Sequence, residues 1–281
     1  MVRKTLDEKI MNERYAFVRG LGIDESVLDE PALGEKLYSV EVMRSSFEFF
    51  NGLELDIKRM YTICPTLLGC SREKLEPKLK FLQDELKLPK KRFSQMPEIF
   101  TYCLESMERT FAHYIEKFDG DKEKAIAMFR DATTVIGLNN DAVDKKMRKY
   151  EEAGIDFHKN YILLEIRPEK AIETKEYLAN VGIYGEQTEH WYYMLLAISK
   201  AMLAPKVEYC EKEGIDWELN PRVLLLGLGT DEKIGALPRR VNMIKKSFKE
   251  GKIPSRMDYR INPTLLTYGE KYFCERLARY K

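Results

Sequence analysis

Apolar residues recur along the chain in a fixed order. At Pro65-Thr66-Leu67-Leu68 a leading residue is followed two and three positions later by paired aliphatics, and the string returns as Pro263-Thr264-Leu265-Leu266. Degenerate copies lead from Pro31, Pro97, Thr133, Asn160, Tyr193 and Pro221, carrying pairs such as Ile99-Phe100, Val135-Ile136, Ile162-Leu163, Leu195-Leu196 and Val223-Leu224. Ten residues after the leader lie Leu75, Met107, Val143, Leu203 and Phe273; fourteen after it lie Leu79, Phe111, Met147, Val207 and Leu277. A third set, Leu82, Ile115, Tyr150, Leu178 and Cys210, follows three or four residues later, so one helical stripe carries all of these positions. Glycines then close the period: Gly22, Gly52, Gly120, Gly154, Gly182 and Gly214 stand where a left-handed residue ends a helix. In Gly22-Ile23-Asp24, Gly154-Ile155-Asp156 and Gly214-Ile215-Asp216 an apolar residue packs back and an acid caps the next helix. About eight units of roughly 33 residues predict stacked helical hairpins, hence one elongated all-α repeat domain over residues 1–281.

Composition removes other readings. The longest apolar run, Trp191 to Ile198, is far short of the roughly 18 to 20 residues that span a bilayer, so no membrane partner is expected. Five cysteines, Cys64, Cys70, Cys103, Cys210 and Cys274, read as small buried hydrophobes of a reducing compartment, and no histidine near them suggests a zinc site. Val223-Leu224-Leu225-Leu226-Gly227-Leu228-Gly229 imitates a dinucleotide-binding turn, but Glu232 stands where the third glycine belongs. Asp119-Gly120-Asp121 lacks the remaining ligands of a calcium loop. His190-Trp191-Tyr192-Tyr193 offers aromatic rings for unpaired bases, although the neighbouring register places at least one tyrosine inside. No residue stands out as catalytic, and neither a cofactor nor a metal is implied.

The unit at Pro65, with Ser71-Arg72-Glu73-Lys74-Leu75-Glu76-Pro77-Lys78 after the paired leucines and the next proline at Pro97, resembles the mitochondrial transcription termination factor (mTERF) family. Residues 65–110 carry the pattern most fully. The resemblance implies a right-handed α-solenoid of stacked mTERF-type units, each with two longer helices and a short 3₁₀ turn. It further implies a non-enzymatic, nucleic-acid-binding protein of mitochondria or plastids, acting in transcription termination or regulation, ribosome assembly or translation. The residues themselves predict a turn ending near Pro77 with a longer helix opening there. The first ten residues include acids and do not form an Arg- and Ser-rich presequence, so either the numbering starts at a processed or truncated form or the protein works elsewhere.

Charge locates the candidate interface. The total is +1, yet residues 222–281 hold fourteen Lys and Arg against six Asp and Glu, a net of +8, leaving −7 for residues 1–221. Thirteen residues after successive leaders stand Arg44, Lys78, Thr110, Lys146, Glu173, Lys206 and Arg276; a five-residue insertion adds Arg239 by aligning Leu237-Pro238-Arg239 with Glu76-Pro77-Lys78. Six of these eight are cationic and predict a ladder for phosphates. A second cluster, Arg239, Arg240, Lys245, Lys246, Lys249, Lys252, Arg256 and Arg260, extended to the C-terminus by Arg276, Arg279 and Lys281, predicts a backbone contact for double-stranded DNA or structured RNA. The competing reading is a protein-binding scaffold, such as a ribosome-associated subunit docking through its acidic N-terminal part.

Overall fold

The computed structural model describes residues 2–29, 39–184, 190–230, 233–251, 258–260, 262–268, 272 and 275. Pro31, Lys252, Arg256, Phe273, Arg276, Leu277, Arg279 and Lys281 lie outside them. By their contacts the residues form two units, 1–143 and 144–281.

Unit one contains α1 (Val2–Gly20), α2 (Val40–Asn51), α3 (Ile57–Ile63), α4 (Arg72–Lys80), α5 (Lys90–Gln95), α6 (Leu104–Lys117) and α7 (Lys122–Asp131). The division falls within α8 (Asn140–Glu152); unit two continues with α9 (Pro168–Asn180), α10 (His190–Leu196), α11 (Lys200–Glu213) and α12 (Ala236–Lys249). Among the described residues helix dominates, with one two-residue pair of strands, β1 (Gly229–Thr230) and β2 (Lys233–Ile234). Among the described residues no helix is long and apolar enough to cross a membrane.

The leading residues open 3₁₀ turns at Pro65–Gly69, Pro97–Thr101, Thr133–Gly137, Tyr161–Glu165, Pro221–Leu225 and Pro263–Thr267. Proline suits that first position because its fixed φ is helical and its missing N–H has no partner there to lose. At Tyr193 the corresponding stretch belongs to α10. Within unit one the turn at Pro65 touches that at Pro97, which touches that at Thr133; within unit two α10 touches the turn at Pro221, which touches that at Pro263. The paired aliphatics are thereby sealed: Leu67, Leu68, Ile99, Phe100, Val223 and Leu224 are wholly buried, and so are Leu75, Met107 and Leu203 ten residues after their leaders.

Two registers differ from the sequence reading. Asn160 is the N-cap of its turn, accepting from the Ile162 N–H at 3.2 Å, and Tyr161 leads. The buried pair is therefore Leu163-Leu164, while Ile162 is 40 % exposed. The thirteenth position of that repeat becomes Thr174 instead of Glu173. Pro77 opens no new helix: it lies within α4, which runs unbroken into a π-turn at Phe81–Glu85. Gly22, Gly120, Gly154, Gly182 and Gly214 are left-handed as expected, but Gly52 has φ −66°, and Glu54 takes the positive φ of 58° in its place. Asp24, Asp156 and Asp216 each accept a downstream backbone N–H, at 2.9, 3.1 and 3.2 Å. Ile23, Ile155 and Ile215 before them are buried.

Candidate nucleic-acid interface

Helix α12 is set by the insertion that precedes it. The extra residues form the β1–β2 ribbon, Gly229 facing Ile234 and Thr230 facing Lys233. Gly235 follows, its N–H donating to the Leu228 carbonyl at 2.8 Å while the Leu237 N–H donates to Gly227 at 3.1 Å. A Cβ on Gly235 would stand 2.2 Å from the Leu228 carbonyl carbon, so glycine alone permits this approach. Once pinned, α12 buries Leu237, Arg240, Val241 and Ile244 and exposes Arg239, Lys245, Lys246 and Lys249.

These cations have different surroundings. Arg240 donates from Nη1 to the Leu266 carbonyl of the following turn. Lys245 donates to Glu213, which also accepts from the Tyr259 hydroxyl at 3.3 Å. The Glu213 bond pushes the Lys245 ammonium above its ordinary pKa. Lys246 and Lys249 are exposed in the last turn, three residues apart and so on one face with Arg239. Beside them a groove of about 230 Å³ is bordered by Phe248, Lys249, Asp258, Tyr259 and Arg260. Arg260 donates to both Asp258 oxygens, at 3.0 and 2.9 Å from Nε, and holds that carboxyl below its usual range. Phe248, 40 % exposed in this basic setting, was not singled out by charge counting.

The cations expected as a ladder take another geometry. Lys78 donates from Nζ to the Phe100 carbonyl at 2.6 Å, Lys146 to Leu164 at 2.8 Å and Lys206 to Leu224 at 2.7 Å. Each acceptor stands three residues after the leader of the next 3₁₀ turn, among the C-terminal carbonyls that short helices leave without a partner. The cation satisfies that oxygen and meets the negative end of the turn's dipole. Burial lowers the pKa of all three ammonium groups. Arg240, three residues after buried Leu237 as Lys78 is after Leu75, holds the same place, so the insertion counts six residues and Arg239 points outward. Thr174 makes a shorter version, donating to the Ile198 carbonyl at 3.0 Å. Arg44 lies outside the pattern: it is exposed, 5.8 Å from the Phe17 ring centroid, while Ser46 donates to the Leu67 carbonyl at 2.7 Å.

Residues 36–112 match the model of the mTERF family. That stretch, about a quarter of the chain, is similar to mTERF proteins. The matched stretch includes the turns at Pro65 and Pro97 and the strut from Lys78, and the same unit with a cation built into it recurs in later repeats of the chain. No curated protein matches the sequence closely enough to serve as a relative. Of the predicted contact residues, Arg239, Lys245, Lys246 and Lys249 share the exposed side of α12. Lys78, Lys146, Lys206 and Arg240 point to carbonyls of neighbouring turns.

Proposed function

We propose that this protein is an mTERF-type, non-enzymatic nucleic-acid binder of the organelle, acting in transcription termination or regulation or in ribosome assembly. In this reading the exposed side of α12 contacts the phosphates of double-stranded DNA or structured RNA. The family match supports it, because mTERF proteins are nucleic-acid-binding helical-repeat proteins of organelles. The single observation that carries it is the placement of Lys246 and Lys249, exposed in the last turn of α12 within a segment of net +8. Phosphate affinity arises largely from counterion release, so each neutralised phosphate adds about 0.9 to the slope of log affinity against log salt for a duplex.

The test is binding of duplex DNA and of a structured RNA to the full chain at low and moderate salt, before and after Lys246→Glu and Lys249→Glu. The expected result is a steep salt dependence, with the double variant weakened tenfold or more and its slope reduced by about two. An affinity indifferent to salt and to both substitutions overturns the proposal in favour of a protein-binding scaffold.

A further inference from the structure

Three departures from the repeat meet in one cavity of unit two. The triplet that reads Gly-Ile-Asp at Gly154 and Gly214 reads Gly182-Ile183-Tyr184 here, with an aromatic ring in place of the capping acid. Two residues before its leader, where other repeats place Ile63, Gln95, Asp131, Lys159, Leu219 or Ile261, this repeat has an aromatic residue, Trp191. One residue after the next leader, where Thr66, Glu98, Thr134, Ile162, Met194 and Thr264 stand, is a cation, Arg222. Tyr184, Trp191 and Arg222 line the same cavity of about 400 Å³, with Glu218 and Leu219 completing its wall. Core packing accounts for only part of this set: Trp191 is half-buried, edge-to-face with Tyr192 at 6.3 Å between ring centroids. Tyr184 is 64 % and Leu219 66 % exposed, whereas Tyr192 and Tyr193, which the register does require, are buried. Gly182, at φ +83°, makes the turn that presents Ile183 and Tyr184.

We infer that this cavity holds an unpaired nucleobase of a single-stranded segment or a free nucleotide, an inference that rests on the nucleic-acid reading above. The volume falls in the range of small-ligand sites. Aromatic faces stack on any base, and a guanidinium beside them meets the adjoining phosphate. The Glu218 carboxylate accepts hydrogen bonds, so bases with an exocyclic amine are preferred over uracil. The Asn220 side chain in the cavity's lining is already committed: its Oδ1 accepts from the Arg222 N–H at 3.2 Å and its Nδ2 donates to the Thr264 hydroxyl at 3.0 Å.

The chain has two tryptophans, and Trp217 is buried, so Trp217→Phe leaves Trp191 as the reporter. Oligoadenylate and oligouridylate of about ten nucleotides, their DNA counterparts, AMP and a blunt duplex are titrated against its fluorescence. Single strands are expected to quench Trp191, adenylate more than uridylate, while the duplex does not. Trp191→Ala should weaken single-strand binding by about fivefold to a hundredfold, with Trp191→Phe retaining most of it and duplex affinity unchanged. Quenching by AMP as tight as by the oligomer assigns the site to a free nucleotide. If single strands bind without quenching and Trp191→Ala is neutral, the base site is wrong while the α12 interface stands. A base site that persists when Lys246→Glu and Lys249→Glu change nothing overturns the interface alone, and failure of every nucleic acid and of AMP overturns both.

Discussion

Replacing Lys206 by methionine separates a structural cation from a phosphate ligand. Lys206 is 6 % exposed and its Nζ donates at 2.7 Å to the Leu224 carbonyl, itself wholly buried with its side chain. Methionine preserves the volume of the aliphatic stem but supplies no donor, so the carbonyl is left dry and unpaired. Such a loss costs about 1–3 kcal/mol, partly offset because a charge no longer has to be held away from water. The lowered pKa of Lys206 registers that second cost. With a urea dependence of about 2 kcal/mol per molar, the unfolding midpoint should fall by about 0.5–1.5 M. Trp191 and Trp217 both lie in residues 144–281, so fluorescence follows the unit that contains the strut. Lys246→Met, at an exposed position, should stay within about 0.5 kcal/mol of the parent. An unchanged midpoint for Lys206→Met, together with weaker nucleic-acid binding and a salt slope reduced by about one, would refute the structural assignment.

Three further outcomes are expected. In a Cys274→Ser protein at about pH 8, a disulfide reagent should modify exposed Cys103 rapidly and Cys210, fully buried with its thiol pushed up to about 12, on unfolding alone; equal rates would contradict the packing. Gly235→Ala should destabilise unit two by about 1–3 kcal/mol, since its Cβ meets backbone at 2.2 Å, and an unchanged urea midpoint would show that the ribbon is not seated as described. The folded Asp258 carboxyl lies below its unfolded value of 3.8, so its contribution is complete above that value and is lost as pH falls through the folded pKa. Arg260→Gln should flatten this acid limb in unfolding curves taken at successive pH values, and an identical limb would remove the ion pair from the account.

Much of the helical architecture was legible because burial has a period. A leucine pair followed by apolar residues at offsets of four and three marks a face that must leave water, and Leu67, Leu68, Leu75 and Leu82 are all wholly buried. Glycine was nearly as readable: Gly154 and Gly214 close their helices with positive φ, whereas at Gly52 the longer loop transfers that conformation to Glu54. Asn160 was misread as a leader since an N-cap and the residue after it occupy adjacent letters, and the exposure of Ile162 is what separates them. Phe248 carries no local mark of its surroundings, and the run His190-Trp191-Tyr192-Tyr193 does not say which of its rings stays accessible. An aromatic letter in a helix reads as core until the neighbouring elements are in place.

By itself the sequence determined the period, the stripe that is buried and the excess of positive charge near the C-terminus, because these follow from the order of residues along one helix. Tertiary structure decided what the charges do. Lys206 and Lys246 are the same residue on helices of equal length, but the next 3₁₀ turn brings a partnerless carbonyl to one and, among the described residues, nothing comparable to the exposed face that bears the other. A hydrogen bond from one repeat to the next depends on where the second backbone lies, and that position is set by the packing between them.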